Sequence, residues 1–299
     1  MVFCIVNMGL IRKPDANHIF AGKTALTLQK NGEMINILLP TDFSENSWNA
    51  MVYGVNFFYG QQVHFHISHI LDEDGEDKAY SHKNALDELQ AFLTRLRKLA
   101  NPKFHKFSFS IQETSFISGL KKIIEDGKIH LIIMGTLGAS LDQQSLVGKN
   151  TTAVISRIKC PILVVPEEAK YKKPQNIAFP TDFYVTYKAR ILRGLKFISN
   201  CHQSKLKVLY YAKKTEELTT SQKSNRDFLK EQLSDTHHGF YYSVKDSLED
   251  AMQLFVKSKD VQLIMMMGKN LNYFDQLLFY PVSKAPKYFK KIPFFVLHE

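Results

Sequence analysis

One eight-residue segment occurs twice in this chain. Asn36-Ile-Leu-Leu-Pro40-Thr41-Asp42-Phe43 returns 140 residues later as Asn176-Ile-Ala-Phe-Pro180-Thr181-Asp182-Phe183. In the same register Gly54 and Phe57 match Gly194 and Phe197. Near the ends of the two halves, Lys159-Cys-Pro161-Ile-Leu-Val164 is answered by Lys291-Ile-Pro293-Phe-Phe-Val296. Solenoid repeats have periods of roughly 20–50 residues, so a period this long marks a duplicated domain. The 299 residues are enough for two domains with a sizeable core each. The expected units are domain 1 over 34–168 and domain 2 over 174–299. A short charged linker, Glu167 to Lys173, joins them. Residues 1–33 lie outside the repeat and read as an extension of little structure.

Within each half, strand-like and helix-like patterns alternate. In domain 1 strands are expected at 35–41, 63–70, 104–112, 130–134 and 161–165. Helices are expected at 44–59, 81–100, 116–126 and 151–159, the second carrying Ala85, Leu89, Phe92, Leu93, Leu96 and Leu99 at helical spacing. Domain 2 repeats the order, with strands at 176–180, 205–212, 239–245, 262–267 and 293–297. Its helices are expected at 184–199, 221–234, 247–258 and 275–290. Strict alternation implies an α/β fold: two tandem Rossmann-like domains, each an open five-stranded parallel sheet with helices on both faces. In such sheets the ligand crevice lies at the carboxyl ends of the strands, where strand order reverses. Asp42 ends the first strand and Gly135 the fourth, so both are expected at one crevice.

The fourth strand leads into the most chemically suggestive stretch. Leu131-Ile-Ile-Met134 is a continuous apolar run, as expected of a strand buried on both faces. Gly135 and Gly138 follow, then a polar loop, then Gly148-Lys149-Asn150-Thr151, where Asn150 or Thr151 is a competent N-cap. Glycines let backbone N–H groups approach a phosphate, and a helix N-terminus adds unpaired donors. The alternative is a glycine-rich β–α connection with no ligand. Asp42 likewise has two readings: a partner for ribose hydroxyls or a metal, or a cap for the helix opening near Ser44.

Composition excludes several classes. A 44% hydrophobic and 23% charged chain is globular. No apolar run reaches the ~18 residues that span a bilayer. The apolar start, Met1 to Ile11, lacks a basic n-region, and Arg12-Lys13-Pro14 replaces a cleavage site, so no secretory signal is expected. Three separated cysteines, Cys4, Cys160 and Cys201, fit a reducing cytoplasm.

The combination of Ile37-Leu-Leu-Pro40-Thr41-Asp42-Phe43-Ser44, duplication and the spacing Gly135-x2-Gly138-x9-Gly148 resembles the universal stress protein family over residues 35–299. The resemblance implies five-stranded domains of the adenine nucleotide alpha hydrolase-like kind. These pair through their last strands, so a tandem chain is an intramolecular pseudo-dimer, with a homodimer as a further option. It implies ATP, with or without magnesium, held with its phosphates on the glycine loop. By position, Thr41, Asp42, Ile70 and Met134 would surround adenosine, and Gly135, Gly138, Gly148, Lys149, Asn150 and Thr151 the phosphates. One departure matters: Lys149 stands where the family has Ser or Thr. Its ammonium would reach a phosphate as a point charge, or else point to solvent.

Domain 2 departs further. Where glycines are expected it has Met265-Met-Met267-Gly268-Lys269-Asn270, and Tyr280-Pro281 lies near the position of Gly148; proline has no N–H to offer. No nucleotide is expected there, and Phe274 to Phe279 is a candidate for packing between the domains. Lys and Arg outnumber Asp and Glu by 21 to 12 over residues 171–299, against 14 to 15 over 34–170. The positive excess therefore lies in the domain without the glycine loop. It fits nucleic acid, an anionic membrane or an acidic protein as partner, or a plainly solvated surface; no nucleic-acid motif accompanies it. His64, His66 and His69 alternate along one strand and are expected on a common face, which invites a metal reading, but packed or hydrogen-bonded imidazoles are the simpler one. No catalytic constellation is visible. The expectation is a stress-response or signalling module that binds ATP in domain 1, the alternatives being a nucleotide-independent scaffold or a slow ATPase.

Overall fold

The computed structural model describes residues 34–71, 82–136, 147–214, 217–268 and 287–298. The expected extension 1–33, the acidic loop after Leu71, Gly138 with its loop, and Phe274 to Phe279 lie outside the described residues. The strands of domain 1 are β1 (Ile35–Pro40), β2 (Val63–Leu71), β3 (His105–Glu113), β4 (Leu131–Gly135) and β5 (Ile162–Val165). Its helices are α1 (Glu45–Phe57), α2 (His82–Leu99), α3 (Phe116–Asp126) and α4 (Lys149–Arg157). Domain 2 contributes β6 (Asn176–Thr181), α5 (Ala189–His202), β7 (Lys205–Ala212), α6 (Thr220–Gln232), β8 (His238–Val244), α7 (Leu248–Ser258), β9 (Leu263–Met267), a 3-10 helix (Lys287–Lys290) and β10 (Phe294–Leu297).

All the described strands join one ten-stranded sheet in the order β3-β2-β1-β4-β5-β10-β9-β6-β7-β8. Within each half the pairing is parallel. The halves meet where β10 runs antiparallel to β5, with Phe294 opposite Val164, Phe295 opposite Leu163 and Val296 opposite Ile162. The expected pseudo-dimer through the last strands is thus formed within one chain. The sheet's outer edges are β3 and β8.

The continuous apolar runs fold as they do because both faces are covered. Ile37, Leu39, Ile133 and Leu163 pack under α1 and α2, and Phe179, Met265 and Phe295 continue that layer under α5 and α6. Leu38, Ile132, Met134 and Val164 face α3 and α4, and Ile264, Met266 and Phe294 face α7 and the 3-10 helix. A strand with every residue buried, such as β4 or β9, can sit only at such a centre.

Four expectations need correction. Helix α4 begins at Lys149 with Gly148 as its N-cap, so neither Asn150 nor Thr151 caps it. Helix α5 begins at Ala189, five residues later than the pattern implied, because the Asp182–Tyr187 segment is held by side-chain bonds described below. Of the expected helix 275–290, the described part is only the 3-10 turn at its end. His69 does not share a face with His64 and His66: three residues on from His66, it falls on the opposite side of β2.

Candidate functional site

The carboxyl ends of β1, β2 and β4 open into one pocket, at the point where strand order reverses between β1 and β4. Its wall brings together Thr41, Asp42, Ile70, Met134, Gly135, Gly148, Lys149, Asn150 and Thr151, all expected from sequence. Gly138 lies outside the described residues. Pro40, Ser47, Ser68, His69 and Phe116 complete the wall; sequence reasoning missed these five, although Ser47, Ser68 and His69 fall close to strand ends already identified.

The first wall is a tight turn. Phe43 has φ 61°, the left-handed region that a bulky side chain rarely enters. Three local bonds hold it there: the Phe43 N–H donates to Thr41 Oγ1 (3.0 Å), and Asp42 Oδ1 accepts from the Ser44 N–H (3.1 Å) and Ser44 Oγ (2.6 Å). Packing of the Phe43 ring on His69 (4.5 Å between centroids) and Phe92 (5.6 Å) offsets the strain. Ser44, not Asp42, is the N-cap of α1, accepting from the Ser47 N–H. Asp42 therefore supports the cap residue rather than capping the helix.

The opposite wall is the start of α4. Gly148 brings no side chain to cap the helix, and its own N–H donates to Thr136 O (2.7 Å). The first-turn amides thus face the pocket with no cap side chain before them, the arrangement that favours an anion. Thr151 is committed elsewhere: buried, it donates to the Gly135 carbonyl (2.9 Å) and ties α4 to the end of β4. Lys149 and Asn150 are exposed at the rim. Gly135 is required by a close approach, since a Cβ there would lie 2.8 Å from Asn46 Cγ. Between the two walls Ile70, Phe116 and Met134 provide an apolar floor. His69 donates from Nδ1 to the Thr41 carbonyl (2.8 Å), joining β2 to the turn, and burial holds its pKa below the usual imidazole value.

Residues 34–166 match the model of the universal stress protein family. The first half of the chain is a universal stress protein domain. A universal stress protein of Methanocaldococcus jannaschii is 26% identical over 151 residues, covering 47% of this chain and 88% of that protein. The fold of both halves together is that of the universal stress protein from Archaeoglobus fulgidus. That crystal structure is 15% identical, with a TM-score of 0.66 over 88% of this chain and 98% of its own. The cytoplasmic domain of a prokaryotic cation chloride cotransporter shares it too, with a TM-score of 0.53, 10% identity and 89% and 96% of the two chains covered.

The turn after β1 recurs after β6 in domain 2, but larger side chains surround it. Phe183 repeats the left-handed φ (58°), and its N–H donates to Thr181 Oγ1 (3.2 Å) as the Tyr184 N–H does to Asp182 Oδ1 (3.0 Å). The hydrogen bond that Thr41 makes with Ser47 (3.0 Å) is made by Thr181 with Tyr187 (2.6 Å). The Tyr187 ring, 2% exposed, fills space that a serine leaves open. By sheet register Met267 stands at the position of Gly135, and Tyr211 at that of Ile70. Three large side chains therefore replace three small or aliphatic ones.

No group of three or more His, Cys, Asp or Glu able to hold a metal occurs among the described residues. Burial pushes the Cys160 and Cys201 thiols up to about 12, which keeps them protonated and poor nucleophiles. No described helix is long and apolar enough to cross a membrane.

Proposed function

We propose that domain 1 binds an adenine nucleotide, ATP with or without magnesium, and that the chain acts in the cytoplasm as a stress-response or signalling module through a change of conformation or protein partner. The observation that carries this reading is one pocket with chemically distinct ends: an uncapped helix N-terminus at one end, the Asp42 carboxylate at another, and an apolar floor between. The first-turn amides of α4 suit phosphate oxygens, and the Lys149 ammonium at the rim suits a second phosphate charge. Asp42, still able to accept through its carboxylate, suits ribose hydroxyls, while Ile70, Phe116 and Met134 suit a purine face. Domain 2 is assigned no nucleotide, because Tyr187 and Met267 occupy the corresponding volume. A homodimer, if one forms, must use a surface other than β5 and β10, which already pair with each other.

Mass spectrometry of freshly purified, denatured protein should detect a co-purified adenine nucleotide. Saturating ATP at a hundredfold its Kd should stabilise the fold by about 2.7 kcal/mol, several degrees in Tm. No extracted nucleotide together with no shift in millimolar ATP and magnesium would overturn the reading in favour of a nucleotide-independent interaction protein.

A further inference from the structure

At the outer edge of domain 1, β2 and β3 carry polar side chains on the face where the inner strands carry aliphatic ones. Register sets His66 beside Ser108 and Ser68 beside Ser110. The side chains form one unbroken line. His64 Nε2 meets Ser108 Oγ at 2.8 Å, and Ser108 Oγ meets His66 Nδ1 at 2.7 Å. His66 Nε2 meets Ser110 Oγ at 2.9 Å, and Ser110 Oγ meets Ser68 Oγ at 3.3 Å. Ser68 is buried and lines the candidate pocket, while His64 is half-buried at the far end beside the exposed Lys106. The line therefore runs from the pocket to the surface.

Each hydroxyl has one proton to give and each neutral imidazole one N–H. A hydroxyl can also accept twice, but among the described residues Ser108 and Ser110 meet no acceptor outside this line, and with both their protons spent within it the four hydrogen bonds point in only two concerted directions. When His64 is charged, both its nitrogens are donors, and one direction survives. Ser108 accepts from His64 and donates to His66 Nδ1; His66 Nε2–H donates to Ser110; Ser110 donates to Ser68. The Ser68 hydroxyl proton is left to point into the pocket. The reverse direction needs a neutral His64 and spends the Ser68 proton on Ser110, so that the pocket meets only a lone pair.

We infer that this line of side chains couples protonation of His64 at the sheet edge to the hydrogen-bonding sense of Ser68 in the pocket, so that a ligand acceptor atom is held more tightly when His64 is charged. The inference rests on the nucleotide reading of the pocket. Domain 2 serves as an internal comparison: where the pocket is filled, the line is missing too. By register Lys205, Lys207 and Leu209 stand for His64, His66 and Ser68, with Gly239 and Tyr241 opposite in place of Ser108 and Ser110. Burial, and then the His64 charge, pushes His66 down to about 4, so it stays neutral and able to pass the direction on. The ionisable neighbours of His64 are His66 on its own strand and Lys106 on β3. From α3, packed on β2, the charged side chains Lys121, Lys122, Glu125 and Asp126 are all exposed, and β1 places the uncharged Asn36 alongside. A ligand that binds one direction only is weakened by the fraction of protein in that direction; an even division in the neutral line makes the change about twofold.

The test has a ligand-free and a ligand-bound arm, both on the full chain. Imidazole nitrogen NMR of the ligand-free protein, below the pH at which His64 titrates, should find His66 protonated on Nε2 and bare on Nδ1. Protonation on Nδ1 there overturns the coupling. ATP titrations at pH 7.5 and below that midpoint should then give an affinity ratio about twofold larger for wild type than for Ser108→Ala; the nucleotide's own titration cancels between the two proteins. Ser110→Ala provides the same break if Ser108→Ala fails to fold. An identical pH dependence in wild type and variant overturns the coupling. Absence of ATP binding at both pH values overturns the nucleotide reading instead, and the His66 tautomer still decides the chain.

Discussion

Acid should weaken this fold well before its carboxylates are titrated. His66, His202 and His298 are each pushed by burial from the ordinary imidazole value of 6.5 down to about 4. A depressed folded-state value means that the unfolded chain takes up protons first. The stability from these groups is whole above pH 6.5 and is lost as pH falls towards about 4. At pH 5.5 each imidazole costs about 1.4 kcal/mol relative to pH 7.5, and the three together on the order of 4 kcal/mol. That is a large part of the roughly 5–15 kcal/mol by which domains are stable. His64, His69 and His105 are shifted the same way by burial, so they add to the loss rather than oppose it. The assay is urea unfolding followed by circular dichroism at pH 7.5 and 5.5. His202→Phe is the control: the imidazole packs on Phe57 across the domain boundary at 4.2 Å, and its Nε2 has no hydrogen-bond partner. A phenyl ring keeps the packing and removes the proton. The variant should lose about 1.4 kcal/mol of the pH dependence. Equal stability at the two pH values, or a pH dependence unchanged by His202→Phe, would refute the reasoning.

Two substitutions separate the halves. Gly135→Ala forces a Cβ to within 2.8 Å of Asn46, beside the start of the pocket; it should cost about 1–3 kcal/mol and weaken ATP binding at least tenfold, measured by calorimetric titration and thermal unfolding together. Tyr187→Ala should destabilise the chain by about 3–5 kcal/mol yet leave ATP stoichiometry at one per chain, since Met267 still stands where a glycine is needed. A second bound nucleotide would show that the ring alone had closed that site.

Much of the fold was legible because its signals are local. Alternating patterns placed every described strand, with shifts of at most one residue at either end, and α3 at 116–126. Patterns failed where side-chain bonds from a neighbouring element decide the outcome. The start of α5 is delayed because Thr181 bonds Tyr187 and because Gln222 and Asn225 of α6 donate to the carbonyls of Asp182 and Phe183. Those bonds arise from a helix about forty residues away, and no local window contains them. The side of β2 on which His69 falls follows from counting by twos, and there the sequence had sufficed.

The duplicated segment has a sharper lesson for the pocket. Pro-Thr-Asp-Phe reads as a binding motif, but domain 2 keeps it with the same left-handed phenylalanine and the same threonine and aspartate bonds while its pocket is filled. The motif is thus sufficient for the turn and insufficient for the pocket. What separates the halves lies outside it: Ser47 against Tyr187, Gly135 against Met267, Ile70 against Tyr211. Each exchange adds volume at a strand end, and in a close-packed interior a few added atoms close a cavity completely. The surviving turn in domain 2 is explained by packing, because Phe183 stacks on Tyr210 at 5.5 Å with the rings nearly parallel. It follows that Asp42 carries a structural duty whether or not a ribose is bound. Asp42→Ala would therefore report on stability and ligand at once, as Gly135→Ala does, whereas a substitution of Lys149, exposed at the rim, addresses the ligand.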